Sequence, residues 1–244
     1  MERRGLVRRA MGGTGVTAAL REAAPDAVVP TAPTRPGSIG VMGGTFDPIH
    51  LGHLAVAEEA RETLGLASIL FVPAGIAPHK LGGASASADD RVAMVRLALR
   101  GNPAFEVSRV DVDRAGPSYT ADTIVLLREA LQAAGLEADL TLIMSTETLA
   151  GLPSWHEPQR LVGQCRVAVV PREGHDAPTA AWLAEHFPGL ENRFDLLTGP
   201  RLGISSTAIR ERIAAGRSIR YLVPEAVERH IADHHLYVHA NRAD

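Results

Sequence analysis

The chain has 244 residues, 45% of them hydrophobic, enough for one sizeable α/β core with a tail. Its formal net charge of −3 gives no reason to expect a nucleic-acid partner. A single cysteine, Cys165, excludes an internal disulfide and fits a reducing cytoplasm, and no apolar run approaches the roughly eighteen residues that cross a bilayer.

Residues 1–37 carry six arginines, three acids and four prolines with little hydrophobic periodicity, and they read as a disordered extension. Arg3, Arg4, Arg8 and Arg9 resemble the charged start of a secretory leader, but no apolar region of adequate length follows. Ser38–Met42 reads as a buried strand, and the helix after it has Leu54, Ala57, Ala60 and Leu64 on one face. Ser68–Val72 is a second strand, and Pro73–Lys80 a loop that Leu81–Ala88 extends with small residues. A helix begins at Asp89 or Asp90, Phe105–Val112 alternates like a strand, and Tyr119–Ala134 has the helical period. Leu140–Met144, Arg166–Val170 and Phe194–Leu197 complete the strands, with a helix at Ala177–His186. Ser205–Ala215 and Pro224–His234 close the chain as helices. Strands separated by helices predict a doubly wound parallel α/β sheet, one Rossmann-like domain over residues 38–238 with a tail at 239–244.

The most informative stretch is Gly43-Gly44-Thr45-Phe46-Asp47-Pro48-Ile49-His50-Leu51-Gly52-His53. Strand, glycine turn and helix start together make an anion site, because the backbone can approach a phosphate and the helix N-terminus favours negative charge. His50 lies just before the helix and His53 in its first turn, so both imidazoles can face one phosphoryl group, with Gly52 leaving room for a base or ribose. Asp47 reads either as a cap of this turn or as a plain turn residue, and Pro48 as structural. Ser205-Ser206-Thr207 stands at a second helix start, where such a run by itself is an N-cap. His230 and His234, at i and i+4, are followed by His235 and His239, and all four read as surface residues with no dedicated metal site.

Gly43–His53 resembles the H-x-G-H signature of the nucleotidylyltransferases. Together with Ile204-Ser205-Ser206-Thr207-Ala208-Ile209-Arg210, it resembles in particular the bacterial nicotinate-nucleotide adenylyltransferase family, from about Ser38 to Tyr237. The resemblance implies transfer of the adenylyl group of ATP to nicotinate mononucleotide, giving nicotinate adenine dinucleotide and pyrophosphate in NAD biosynthesis. It implies direct in-line attack, magnesium carried by the ATP phosphates and a cytoplasmic enzyme with no nucleic-acid or membrane partner, and it leaves a homo-oligomer open. Its catalytic residues would be His50, His53 and Arg210. Its ATP site would comprise Gly43, Gly44, Thr45, Phe46, Gly52, Ile204, Ser205, Ser206 and Thr207, with His79 and Lys80 approaching from a loop. Tyr119, Thr120, Glu147 and Trp155 would bind the mononucleotide, Trp155 stacking on the pyridine ring unless it is a packing residue. Arg212 falls off the pattern and reads as solvated. The family's Gly-x-Asp after the Leu140–Met144 strand is Ser145-Thr146-Glu147 here, which bears on substrate identity more than on adenylyl transfer. Two rivals are a phosphopantetheine-type adenylyltransferase and a binding protein without turnover. A class I aminoacyl-tRNA synthetase shares H-x-G-H, but nothing here supplies an anticodon-binding domain.

Overall fold

The structure, a computed structural model, describes residues 38–76, 84–133 and 135–238. The expectations for residues 1–37, for His79 and Lys80, and for 239–244 lie outside the described residues. β1 (Ser38–Gly44), β2 (Ser68–Pro73), β3 (Phe105–Val107), β4 (Asp139–Ser145), β5 (Arg166–Val170) and β6 (Phe194–Leu196) form one parallel sheet in the order β3-β2-β1-β4-β5-β6. That order reverses direction between β1 and β4. A crevice therefore opens beyond the carboxyl ends of these two strands, where open α/β sheets bind their ligands.

The helices are α1 (Leu51–Leu64), α2 (Ala88–Ala98), α3 (Val110–Asp113), α4 (Thr120–Ala133), α5 (Thr146–Gly151), α6 (Pro158–Gln164), α7 (Ala180–His186), α8 (Ser206–Ala214) and α9 (Glu225–Asp233). They cover both faces of the sheet with separate apolar cores. One core packs Ile124, Leu127, Leu149 and Leu161 against Val41, Leu142 and Val167; the other packs Ala57, Val95, Ile209 and Val227 against Ile69, Phe71 and Ala168. Strands buried on both faces explain the continuous apolar runs seen in the sequence. Among the described residues no helix is long and apolar enough to cross a membrane.

Three expectations change. The strand expected over Phe105–Val112 ends at Val107, and α3 follows. Ser108 makes the last ladder bond, to the Phe71 carbonyl (2.8 Å), and its hydroxyl then accepts from the Val110 N–H (3.3 Å), turning the chain and burying Asp111. The helix expected from Ala177 begins at Ala180, because Thr179 supplies the cap to the Trp182 N–H at 3.1 Å. His230 is not a free surface group: its side chain is 12% exposed and packs on α2 beside Asp90, whereas His234 is 54% exposed.

The turn after β1 is fastened from several directions. The Asp47 carboxylate is buried and accepts the backbone N–H groups of Ser85 (2.7 Å) and Ala86 (3.1 Å), ahead of α2, and the Tyr237 hydroxyl (2.8 Å), just past α9. Beneath it the buried guanidinium of Arg91 donates to the carbonyls of Thr45 (2.8 Å) and Gly75 (3.3 Å). The Tyr237 phenol is pushed up by burial first and by the Asp47 charge second, so it remains a neutral donor at any working pH. Tyr237→Phe removes one hydrogen bond to a charged acceptor without changing packing volume. Urea unfolding should show stability lower by about 2 kcal/mol with an unchanged denaturant slope.

Candidate active site

A cleft of about 490 Å³ lies at the sheet's switch point. Gly43, Gly44 and Thr45 from the β1 turn, His50, Gly52 and His53 from the start of α1, and Ser205 and Ser206 from the start of α8 line one part of it. Tyr119 and Thr120 from the start of α4, Glu147 from α5, and Trp155 line the remainder. Three helix N-termini thus meet one cavity and converge positive backbone poles on it.

The two histidines stack, with ring centroids 3.6 Å apart and planes 22° apart. The backbone N–H of His50 donates to Nδ1 of His53 (3.2 Å), which leaves Nε2 as the protonated nitrogen of a neutral His53 ring. Gly52 makes the stack possible, because a Cβ there would lie 3.0 Å from Nδ1 of His50. Gly52 itself lines the cleft. Burial, and then the Arg172 guanidinium, lower the His50 pKa from 6.5 to about 4. Burial, His50 and Arg172 lower that of His53 in the same direction. Both rings are neutral near pH 7, ready to donate hydrogen bonds without first bringing charge.

Arg172, on the loop after β5, is a residue that sequence reading missed. It lines the cleft, its Nε pairs with Glu147 Oε2 (3.3 Å), and Nη1 donates to the Ile204 carbonyl (3.4 Å). An arginine after a buried strand looks like any solvated loop cation; only the parallel pairing of β4 with β5 brings it beside Glu147 and the histidines. Asp111 was also missed. It lines the cleft, accepting from Thr123 Oγ1 (2.7 Å) and Arg114 Nε (2.9 Å), while Arg114 Nη2 reaches the Tyr119 carbonyl (3.1 Å). This brace fixes the start of α4. Gly75 lets it close, since a Cβ at Gly75 would meet the Asp111 carbonyl oxygen at 2.2 Å.

Of the other expected residues, Phe46, Ile204, Thr207 and Arg210 stand back from the cavity lining. The Phe46 ring is buried below the turn, edge-on to His53 (5.1 Å, 77°), and the Phe46 backbone holds a left-handed φ of 51°. Its side chain supports the histidine from behind. Arg210 donates from Nη1 to the Asp47 carbonyl (2.7 Å) and from Nη2 to Thr207 Oγ1 (3.3 Å), so it ties α8 to the β1 turn. The serines expected to offer hydroxyls to phosphate have local partners. Ser205 Oγ caps α8 at the Ala208 N–H (3.2 Å), and Ser206 Oγ donates to the Pro48 carbonyl (2.8 Å). Ile204 lends its carbonyl to Arg172, and its side chain packs against the core. Arg212 donates to the Ser218 carbonyl (2.8 Å). Trp155 satisfies both of its readings, lining the cleft on one side and packing on the core on the other, while Tyr119 stacks on His156 at 4.3 Å.

The low histidine pKa values set a pH dependence. His50 unfolded takes up its proton near 6.5 and folded near 4, so within that window the unfolded chain binds more protons. Stability from this group is complete above the upper value and is lost as pH falls through the window. His50→Gln should flatten the stability–pH curve there by up to about 1.4 kcal/mol per pH unit, measured by urea unfolding at half-unit intervals. An unchanged slope would mean that His50 titrates as a solvated imidazole.

A profile of the cytidylyltransferase-like family matches residues 41–212. A probable nicotinate-nucleotide adenylyltransferase of Roseiflexus sp. (strain RS-1) is 50% identical over 199 residues, covering 82% of this chain and 97% of that protein. Its counterpart in Thermomicrobium roseum is 44% identical over 199 residues, covering 82% and 91%. Among solved structures, a Plasmodium falciparum nicotinic acid mononucleotide adenylyltransferase complexed with NaAD superposes with a TM-score of 0.64, covering 82% of this chain and 97% of that one. At 17% identity that likeness is one of fold.

Proposed function

The chain belongs to the cytidylyltransferase-like family, and within it we propose that this protein transfers the adenylyl group of ATP to nicotinate mononucleotide, releasing pyrophosphate. The observation that carries the reading is the convergence on one cleft of two neutral stacked imidazoles, three helix N-termini and Arg172. The acceptor's 5′-phosphate is already an anion at neutral pH and attacks the α-phosphorus in line. The protein need supply no general base, only position and charge stabilisation.

His53 donates from Nε2 to a non-bridging oxygen of the α-phosphate, His50 shares that load, and Arg172 offsets the growing negative charge. The β- and γ-phosphates lie at the α8 N-terminus, bound by backbone N–H groups more than by the serine hydroxyls. Arg210 adds positive charge there and holds Thr207 and the β1 turn in register. Gly43, Gly44 and Thr45 let the α-phosphate and ribose approach the backbone. The acceptor's ring stacks on Trp155 and its carboxylate faces Thr120 and the α4 N-terminus, with Tyr119 and Glu147 flanking. His79 and Lys80 belong to this reading as triphosphate ligands.

The carboxylates that line the cleft, Asp111 and Glu147, are each paired with an arginine, Arg114 and Arg172. That fits magnesium carried in on the triphosphate rather than gripped by a carboxylate cage. A cytoplasmic setting suits the one thiol, Cys165, whose pKa burial pushes up to about 12.

Pyrophosphate release with ATP-Mg²⁺ tests the whole reading, with nicotinate mononucleotide, nicotinamide mononucleotide and phosphopantetheine as alternative acceptors. Strong preference for the nicotinate acceptor is expected, and silence with all three would leave a binding protein without turnover. Two variants assign roles. His53→Ala should keep the fold and lower kcat at least a hundredfold, about 3 kcal/mol of transition-state stabilisation; a near-normal rate would remove the motif from the chemistry. Trp155→Ala should raise the acceptor KM about tenfold while ATP affinity stays within a factor of about two, as lost stacking predicts.

A further inference from the structure

Outside the cleft, three metal-ligating side chains meet where the first turn of α2 faces the last turn of α9. Asp90 Oδ1 lies 3.3 Å from His230 Nε2 and 3.7 Å from His234 Nδ1. The two imidazoles stack at 4.1 Å with planes 27° apart, and all three ligand atoms lie within 4.8 Å of one another. We propose that Asp90, His230 and His234 form a binding site for a divalent transition-metal ion, with zinc as the best fit, which clamps α9 to α2.

The distances suit tetrahedral coordination, since bonds of about 2.0–2.1 Å hold ligand atoms about 3.4 Å apart. Two of the three separations are near that already, and the third is within 4.8 Å, with His234 on the exposed side where its ring has room to turn. Two imidazole nitrogens and one carboxylate oxygen are ligands that zinc accepts, with the fourth position left to water. The carboxylate is pre-oriented, because Oδ2 accepts the Ser87 hydroxyl (2.7 Å) while Ser87 Oγ also accepts the Asp90 N–H (3.0 Å). Such outer partners hold a ligand at a metal site in one orientation. Spacing i and i+4 places both histidines on one face of α9, and the third ligand comes from a separate helix. A bound ion therefore links two segments distant in sequence and shrinks the set of unfolded conformations that could hold it. A second group, Asp122, His156 and Glu157, is a poorer candidate. Arg160 ion-pairs with Glu157 and lies 3.9 Å from Asp122, putting a cation where the metal would sit.

The clamp bears on the fold's central fastening. Ser85 and Ala86, just ahead of α2, and Tyr237, just after α9, are bound to the same Asp47 carboxylate. Metal binding would thus tighten the two elements that hold the β1 turn, at a distance from the cleft.

The test uses the full chain, stripped with chelator and titrated with zinc chloride by calorimetry and by thermal unfolding, with cobalt(II) as the optical probe. Expected are one equivalent bound, a melting temperature raised by about 5 °C at a hundredfold excess over Kd, and visible absorption of tetrahedral cobalt. His234→Ala and Asp90→Asn should each weaken zinc binding at least tenfold. His234→Ala should leave the metal-free melting temperature unchanged, because that side chain is exposed. Glu157→Gln should bind zinc as the parent does. Absence of binding, parent-like affinity in both cluster variants, or loss confined to Glu157→Gln would each overturn the site.

Discussion

One buried carboxylate organises this molecule. Asp47 is 1% exposed and accepts hydrogen bonds from the segment ahead of α2 and from the tyrosine beyond α9, while its own carbonyl receives the Arg210 guanidinium of α8. A carboxylate out of water demands that its lone pairs be met, and meeting them draws two separate stretches of chain onto one turn, to which the Asp47 carbonyl adds a third. Arg91, buried beneath the same turn, stays balanced by the Asp47 charge although desolvation lowers its pKa. The turn these groups fix is the one that delivers Gly43–Thr45 and His50 to the cleft. The geometry of this end of the cleft is thus set by a polar network lying outside it.

That rigidity has an electrical counterpart. Imidazoles stacked 3.6 Å apart beside an arginine cannot all be charged, and burial settles the matter in favour of neutral rings. The neutral His53 ring, with the Phe46 ring behind it, is a hydrogen-bond donor already held in place. An anion entering the cleft would meet helix poles and Arg172 rather than a pair of protonated histidines whose charge is lost as pH rises. Local strain at Phe46 and close approach at Gly75 are found where the network holds its active geometry.

The sheet was legible because its strands are buried on both faces, so each appears as an unbroken apolar run between helical periods. The Gly43–His53 motif was legible because its spacing implies strand, turn and helix at once. What stayed hidden depends on partners far apart in sequence. Nothing near Arg172 marks it as a cleft residue until β5 pairs with β4. Asp47, read evenly as cap or plain turn residue, revealed its weight only when Tyr237 reached it from 190 positions away. Phe105–Val112 misled for the opposite reason: its alternation is real, but β3 has one neighbour, and three residues satisfy that edge before Ser108 turns the chain. His230 was misjudged because one helix shows only its own period, not the helix packed against it.

The substitution of Ser145-Thr146-Glu147 for the familiar Gly-x-Asp can be understood from the same long-range contacts. Ser145 serves as N-cap of α5, accepting the Thr148 N–H, and Thr146 Oγ1 accepts the Arg172 N–H at 2.9 Å. Glu147 then meets the Arg172 side chain. The three residues are therefore one local device for holding the loop after β5, with the extra methylene of glutamate giving the reach to the guanidinium. Glu147 and Arg172 thus form an ion pair beside the histidines, whose pKa values the Arg172 charge helps to lower.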